Sequence, residues 1–183
     1  MDTVLERPWT TESFLVWEDK QEGKHEFDGR KVIPMTGGSL AHQDIVFNLR
    51  TVLARLLTGR PLRAAHEMRI RIGDRLRYPE VIVFPGLLDQ ATRTLADAVA
   101  IFEVLSDDTA TTDRVAKLIE YGDVPSLRAY ILLEQTAIGA TLFQREPGAT
   151  WVASAQTDGE LILPGIGIAL PLADVYSGLS FPA

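Results

Sequence analysis

Two glutamates each interrupt an otherwise apolar run. Glu80 lies within the run 78–84 and Glu103 within the run 99–105, and both runs are rich in β-branched and aromatic residues. Such runs predict buried strands, and alternation along a strand places each glutamate in a row whose other members are apolar. A polar group without a partner there costs about 2–7 kcal/mol. Each glutamate therefore needs a proton, a hydrogen bond, a salt bridge or a cation, and two on neighbouring strands would suit a shared divalent ion such as Mg²⁺.

A third acid and a lysine extend this set. Glu26 lies in a short predicted strand, and Lys117 lies in a helix predicted to follow the Glu103 run. Three carboxylates and one lysine are groups used in metal-dependent phosphodiester hydrolysis, where acids hold cations that polarise a phosphate and lower the pKa of bound water. The lysine can orient that water or balance charge on the phosphorane. A histidine just after a helix start, such as His42, can line a site but is more often a partly buried surface residue, so His42 is left out of the catalytic set.

Each of these residues also has a purely structural interpretation. A strand glutamate can belong to a satisfied ion pair or lie on an edge in water, because structural networks also contain buried acids. A lysine on a helix is most often solvated. The position of Lys117 directly after the strand of Glu103 is what makes it a candidate. Both interpretations stay open at this point.

The elements that position these residues follow from periodicity and capping. Thr10 predicts the start of a short helix, and Ser39 predicts the cap of a long one that ends near Gly59. A further helix is expected over 111–121, with Val115, Leu118 and Ile119 on its buried side. The predicted buried stripe of the long helix comprises Leu40, Ile45, Leu49, Val52, Leu53 and Leu56.

The segment 62–84 reads as a hairpin whose register depends on its loop. A two-residue loop, Gly73-Asp74, would pair Ile72 with Arg75 and mix apolar with charged residues on both faces. A three-residue loop pairs Ile72 with Leu76 and keeps one face apolar, so the sequence favours that register.

The preferred register also places two arginines opposite one another. Arg71 would face Arg77 on the outer side, where like charges either separate into water or meet an anion such as phosphate. The predicted nucleic-acid contacts are therefore the hairpin arginines Arg69, Arg71, Arg75 and Arg77.

Composition sets the broader limits. The 183 residues predict a single domain, 1–183, and the net charge of −7 with a pI near 5.0 argues against indiscriminate coating of nucleic acid, although a local basic surface would suffice. With no cysteine there is no disulfide or thiolate zinc site. No apolar run could span a bilayer and the first residues do not resemble a signal segment, so the expected location is the cytoplasm. A homodimer is an assembly that the sequence leaves open.

Several short motifs recur in an order and spacing that resemble a known family. The chain is similar to the PD-(D/E)xK nuclease superfamily and, more narrowly, to the Uma2 family, also called DUF820. The motifs that carry this resemblance are Glu26-Phe27-Asp28-Gly29-Arg30, Met35-Thr36-Gly37-Gly38-Ser39 with His42, Tyr78-Pro79-Glu80-Val81, Phe102-Glu103-Val104-Leu105-Ser106, Asp113-Arg114 with Lys117 and Tyr121, Pro125-Ser126-Leu127-Arg128 and Leu163-Pro164-Gly165-Ile166-Gly167-Ile168.

The resemblance implies a fold, an activity and a site. The expected fold is α/β (α+β), a restriction-endonuclease-like mixed central sheet flanked by helices, with a C-terminal set of short strands. The implied activity is metal-dependent endonuclease cleavage of DNA. Glu80, Glu103 and the backbone carbonyl of Val104 would hold Mg²⁺ or Mn²⁺, Glu26 would support a second ion or its waters, and Lys117 would act on the nucleophile.

The chain departs from the family pattern in three places. Glu80 stands where the family usually has aspartate, Leu105 stands where the superfamily usually has its lysine, and Ser106-Asp107-Asp108-Thr109 replaces a Ser-Pro-Ser-Thr sequence. The lysine function would have moved to Lys117. The longer Glu80 predicts weak activity that prefers Mn²⁺, since Mg²⁺ demands stricter geometry. Glu80→Asp would raise the Mg²⁺-dependent rate, unless the neighbouring strand has shifted to suit the glutamate.

Two rival functions remain at the level of sequence. The first is a nucleic-acid-binding or regulatory module that has this fold without activity. The second is a structural interaction protein in which the acids are ion-paired and no metal binds.

Overall fold

This computed structural model describes residues 9–35, 37–105 and 111–181, and side chains in the last range from residue 115 onward. The acidic sequence 106–109 and the side chains of Asp113 and Arg114 therefore lie outside the described residues. The elements, in order, are α1 (Thr11–Glu18), β1 (His25–Phe27), β2 (Val32–Pro34), α2 (Leu40–Leu56), β3 (Leu62–His66), β4 (Arg69–Ile72), β5 (Arg75–Arg77), β6 (Val81–Pro85), β7 (Thr94–Leu95), β8 (Ala100–Val104), α3 (Thr111–Gly122), β9 (Ala129–Leu133), β10 (Ala140–Gln144), β11 (Val152–Gln156), β12 (Glu160–Leu163), β13 (Ile168–Pro171) and α4 (Leu172–Val175).

The strands form two large sheets and a hairpin. The N-terminal sheet has the order β2-β1-β5-β4-β7, and the central sheet has the order β11-β10-β9-β8-β6-β3. Most neighbours are antiparallel, but β8–β9 and β4–β7 are parallel, so both sheets are mixed. Strands β12 and β13 pair with each other. This confirms the predicted mixed central sheet with helices and a C-terminal set of short strands.

The core lies on both faces of the central sheet. One face, with Val81 and Phe102, packs against α2 and the C-terminal hairpin. The other face, with Ile82 and Ile101, packs against Tyr121 of α3. Across the described ranges, no helix is long and apolar enough to cross a membrane.

Helix α2 begins where capping predicts and buries most of its predicted stripe. The Ser39 hydroxyl accepts the N–H of His42, which satisfies a free donor of the first turn. Ile45, Leu49 and Leu53 are fully buried, but Leu40 is 78% exposed. Its predicted burial is wrong because the first turn directs His42, and not Leu40, toward the sheets.

Helix α3 has the predicted bounds but a different buried side. Val115 and Ile119 are 53% and 67% exposed, whereas Tyr121 is completely buried. The prediction that Val115 and Ile119 face the core is wrong. Tyr121 and Lys117 instead point inward, where they bind a buried carboxylate of β8. This polar contact, together with the packing of Tyr121, sets the rotation of the helix.

The hairpin β4–β5 adopts the register that the sequence disfavoured. Ile72 pairs with Arg75 and Ile70 with Arg77 across the two-residue loop Gly73-Asp74. Gly73 has a φ of 58°, which suits a tight hairpin turn. The prediction of a three-residue loop is wrong. It assumed that the hairpin has one apolar, buried face, whereas both faces of this sheet are covered by other elements. Helix α1 packs on one face through Phe14, Phe27 and Leu76.

Candidate active site

The central sheet brings Glu80 and Glu103 together. Strands β6 and β8 are antiparallel neighbours with Val81 opposite Phe102, so extending the register by one residue sets Glu80 opposite Glu103. Residues opposite one another in antiparallel strands project to the same face. Glu80 lies just before β6, with 22% of its side chain exposed, while Glu103 is 8% exposed. The two predicted strands are thus adjacent, as expected, with Glu80 at the end of its strand.

The carboxylate of Glu103 accepts hydrogen bonds from two side chains of α3. Its Oε1 accepts hydrogen bonds from Lys117 Nζ at 3.3 Å and from the Tyr121 hydroxyl at 2.9 Å. Lys117 and Tyr121 are four residues apart and therefore lie on one side of the helix. The prediction that the Lys117 ammonium approaches Glu103 is confirmed.

Glu26 reaches the same position from the N-terminal sheet. Its Oε1 accepts the backbone N–H of Tyr78 at 3.0 Å and lies 3.9 Å from Lys117 Nζ. Its Oε2 accepts a hydrogen bond from Arg77 at 3.1 Å. Lys117 therefore lies between the carboxylates of the two sheets, and its side chain is only 16% exposed.

The carboxylates of the site lie close enough to repel one another. Burial raises the pKa of Glu103, Lys117 opposes that rise, and the charges of Glu26 and Glu80 add to it. Burial also raises the pKa of Tyr121 well above its usual range, with a further contribution from the nearby Glu103 charge. Tyr121 is therefore a neutral hydroxyl that donates to Glu103. A bound cation would offset the repulsion among these carboxylates.

Three residues of this site are not in the catalytic set that the sequence predicts. His42 is 6% exposed and its Nε2 lies 3.1 Å from Oε1 of Glu80, so its interpretation as a partly buried surface residue is wrong. Tyr121 could have been found from its spacing to Lys117. Arg77 could not, because the hairpin register was wrong.

The four hairpin arginines are all ion-paired within the chain. Arg77 is buried between Glu26 and Glu120, and Arg69 is buried against Glu18. The more exposed pairs are Arg71 with Glu12 and Arg75 with Asp123. The predicted outward pair of Arg71 and Arg77 is wrong because the true register places these two residues on opposite faces.

The donor set fits a hard divalent cation bound by few protein ligands. The part of the chain that the structure describes has no group of three or more His, Cys, Asp or Glu side chains arranged for a metal. Mg²⁺, however, is commonly held by one or two carboxylates and keeps several waters. Lys117 and Tyr121 donate to Oε1 of Glu103, and His42 contacts Oε1 of Glu80.

Comparison with known proteins gives consistent matches along the chain. The sequence model of Uma2, described as "Putative restriction endonuclease", matches residues 11–173. An uncharacterised protein of Synechocystis sp. is 29% identical over 175 residues, covering 93% of this chain and 92% of that protein. A second uncharacterised Synechocystis protein is 28% identical over 149 residues, covering 78% and 84%.

A solved structure shares the fold. It is described as a putative nuclease belonging to DUF820 from Anabaena variabilis, with a TM-score of 0.76 at 19% identity, and the match covers 93% of this chain and 98% of that one. The similarity confirms the expected architecture. The Uma2 match includes all four predicted catalytic residues, Glu26, Glu80, Glu103 and Lys117.

Proposed function

The chain belongs to the Uma2 family, and on that premise we propose that it is a metal-dependent endonuclease that hydrolyses DNA phosphodiester bonds. The observation that carries the proposal is that Glu26 and Glu103 meet at the ammonium of Lys117, while Glu80 lies opposite Glu103 on the neighbouring strand. These residues come from separate elements of both sheets and α3. Neighbouring carboxylates that repel one another are unfavourable for stability alone, and such an arrangement suits catalysis at a phosphate.

The proposed metal ligands are Glu80, Glu103 and the backbone carbonyl of Val104. Hard carboxylate and carbonyl oxygens suit Mg²⁺ or Mn²⁺. When bound, such an ion would polarise the scissile phosphate and lower the pKa of a water molecule. Strand pairing between β6 and β8 holds the two acids at a fixed separation, so little ordering of the chain would accompany binding.

The other residues of the site act on the substrate or on each other. Lys117 supplies a positive charge that orients the attacking water or stabilises charge developing on the phosphate. Glu26, fixed by Arg77 and the Tyr78 N–H, contacts the lysine from the N-terminal sheet. Tyr121 orients Glu103 through its hydroxyl.

Cleavage of supercoiled plasmid with Mg²⁺ or Mn²⁺ tests the proposal. The wild-type protein should nick the plasmid, and chelation should stop it. Glu103→Gln should reduce the rate about 100-fold or more because it removes a proposed ligand charge. The matched control is Glu160→Gln, since Glu160 is an exposed strand acid in the C-terminal hairpin.

Calorimetric titration of Mn²⁺ completes the test. Wild-type protein should bind the ion and Glu103→Gln should not. DNA binding with neither cleavage nor Mn²⁺ binding would overturn the proposal and favour an inactive nucleic-acid-binding module. The absence of all three would favour a structural interaction protein.

A further inference from the structure

The side chain of His42 ends on a proposed metal ligand. Its Nε2 lies 3.1 Å from Oε1 of Glu80, and only 8% of the histidine side chain is exposed. The two residues come from α2 and from the start of β6. This contact therefore joins the helix on one side of the central sheet to the strand end that carries the acid.

The backbone before α2 is built around this imidazole ring. A Cβ at residue 38 would lie 2.6 Å from Cγ and Cδ2 of His42, which is closer than real Cβ atoms approach other atoms. Gly38 does not have a left-handed φ, so the backbone conformation does not demand glycine there. Glycine is required because the chain packs directly on the ring. Ser39 then fixes the start of the helix by accepting the His42 N–H.

The second ring nitrogen supports a role toward Glu80. Within the described residues, Nδ1 of His42 is buried and has no hydrogen-bond partner. A structural histidine in a core would normally use both nitrogens, because an unpaired buried polar atom costs about 1–3 kcal/mol. The position of the ring is therefore best explained by the contact of Nε2 with Glu80.

Glu80 is the ligand that most needs such a contact. A glutamate side chain has one more rotatable bond than aspartate, so fixing it in a single rotamer loses more conformational entropy. Glu80 is also outside the regular part of β6, with 22% of its side chain exposed. Hydrogen-bonding partners behind a ligand commonly provide this orientation.

We propose that His42 is a positioning residue that holds the Glu80 carboxylate beside Glu103, so that the two acids can take a divalent cation together. The proposal rests on the proposed metal-dependent function and adds a residue to it. Gly38 contributes to the same arrangement, because the absence of a Cβ at residue 38 leaves room for the imidazole ring.

The test measures Mn²⁺ affinity of the full chain by calorimetry, without DNA. His42→Leu removes the nitrogen and should weaken binding about 10- to 100-fold. His42→Gln places an amide nitrogen near the former Nε2 and should restore affinity to within a few fold of wild type. A purely structural role would not be rescued in this way. His66→Leu is the matched control, because His66 is an exposed histidine on the edge strand β3 and should leave the affinity unchanged.

A double variant tests whether His42 affects Mn²⁺ binding through Glu80. His42→Leu should have no further effect in a Glu80→Gln background, because the group that it positions has already lost its charge. Should His42→Leu fail to fold, Gly38→Ala replaces it, since this change displaces the ring while keeping the imidazole. Gly38→Ala should weaken Mn²⁺ binding several-fold.

The outcomes separate this inference from the proposed function. Wild-type binding with equal affinity in His42→Leu, or in Gly38→Ala where that replaces it, overturns the positioning role and leaves the metal-dependent function standing. A wild-type protein that binds no Mn²⁺ overturns both. Weakening by His42→Leu that His42→Gln does not rescue also overturns the positioning role.

Discussion

Two buried glutamates of this protein, Glu18 and Glu103, have different electrostatic surroundings. Glu18 of α1 meets Arg69 of β4, and both side chains are almost completely buried, at 5% and 8% exposure. Nε of Arg69 also donates to the Thr94 hydroxyl at 2.8 Å. Glu103 instead meets Lys117 while two further acids, Glu26 and Glu80, add negative charge nearby.

The difference distinguishes a structural ion pair from the cluster that we propose is functional. One buried acid with one buried arginine is neutral and satisfied, and such a pair fixes how α1 sits on the N-terminal sheet. In the cluster around Lys117, the charges of Glu26 and Glu80 disfavour ionisation of Glu103, which costs stability in the absence of a cation. Burial alone therefore does not distinguish the two glutamates, whereas the presence of neighbouring acids does.

The largest effect is expected at the lysine. Lys117→Met keeps the aliphatic stem but removes the ammonium, so it should lower any plasmid cleavage about 100- to 1,000-fold. The circular dichroism spectrum should stay native. The control is Lys24→Met, which breaks the exposed pair with Glu67 and should leave cleavage unchanged. Full cleavage by Lys117→Met would remove the lysine from the mechanism.

The structural pair should respond in stability and not in activity. Arg69→Met leaves Glu18 buried without its cation and should lower the free energy of unfolding by about 3–5 kcal/mol. Cleavage per folded molecule should be unchanged. Adding Glu18→Leu should recover most of the loss, since well-packed apolar residues often replace a buried pair at little cost. A denaturant titration measures both variants, and a neutral Arg69→Met would contradict the comparison.

Shortening a ligand should have a smaller effect on catalysis. The sequence left two outcomes open for Glu80→Asp, and the His42 contact favours the loss of activity because aspartate withdraws the carboxylate by about one methylene. Displacement near 1 Å can cost about 100-fold, so a 10- to 100-fold fall in the Mg²⁺-dependent rate is expected. The Mn²⁺-dependent rate should fall less, which plasmid cleavage in each ion measures. A faster Mg²⁺-dependent rate would show that the glutamate is not held for this length.

The smallest effect is expected where a pair is exposed. Arg71 and Glu12 are 41% and 71% exposed, so Arg71→Gln should leave the melting temperature within about 2 °C of wild type. If this arginine also contacts DNA, the same variant should weaken plasmid binding and reduce its salt dependence by about one phosphate contact. Unchanged binding at all salt concentrations would remove Arg71 from the predicted DNA surface.

The sequence by itself determined the parts of the site that depend on local pattern. Apolar runs interrupted by Glu80 and Glu103 identified two strands, and capping at Thr10 and Ser39 located the starts of α1 and α2. Chain order brought Lys117 back to Glu103, because a helix that directly follows a strand has few places to pack. These inferences need only the period of an element and the chemistry of its ends.

Only the tertiary structure decided how those elements face one another. The β4–β5 register followed from a sheet covered on both faces, where one-sided apolarity no longer selects the pairing. The inward rotation of α3 followed from the carboxylate that Lys117 and Tyr121 bind, although Val115 and Ile119 are more apolar than lysine. His42 gained its contact with Glu80 from the packing of α2 against the end of β6, a long-range contact that hydrophobic periodicity along α2 does not specify.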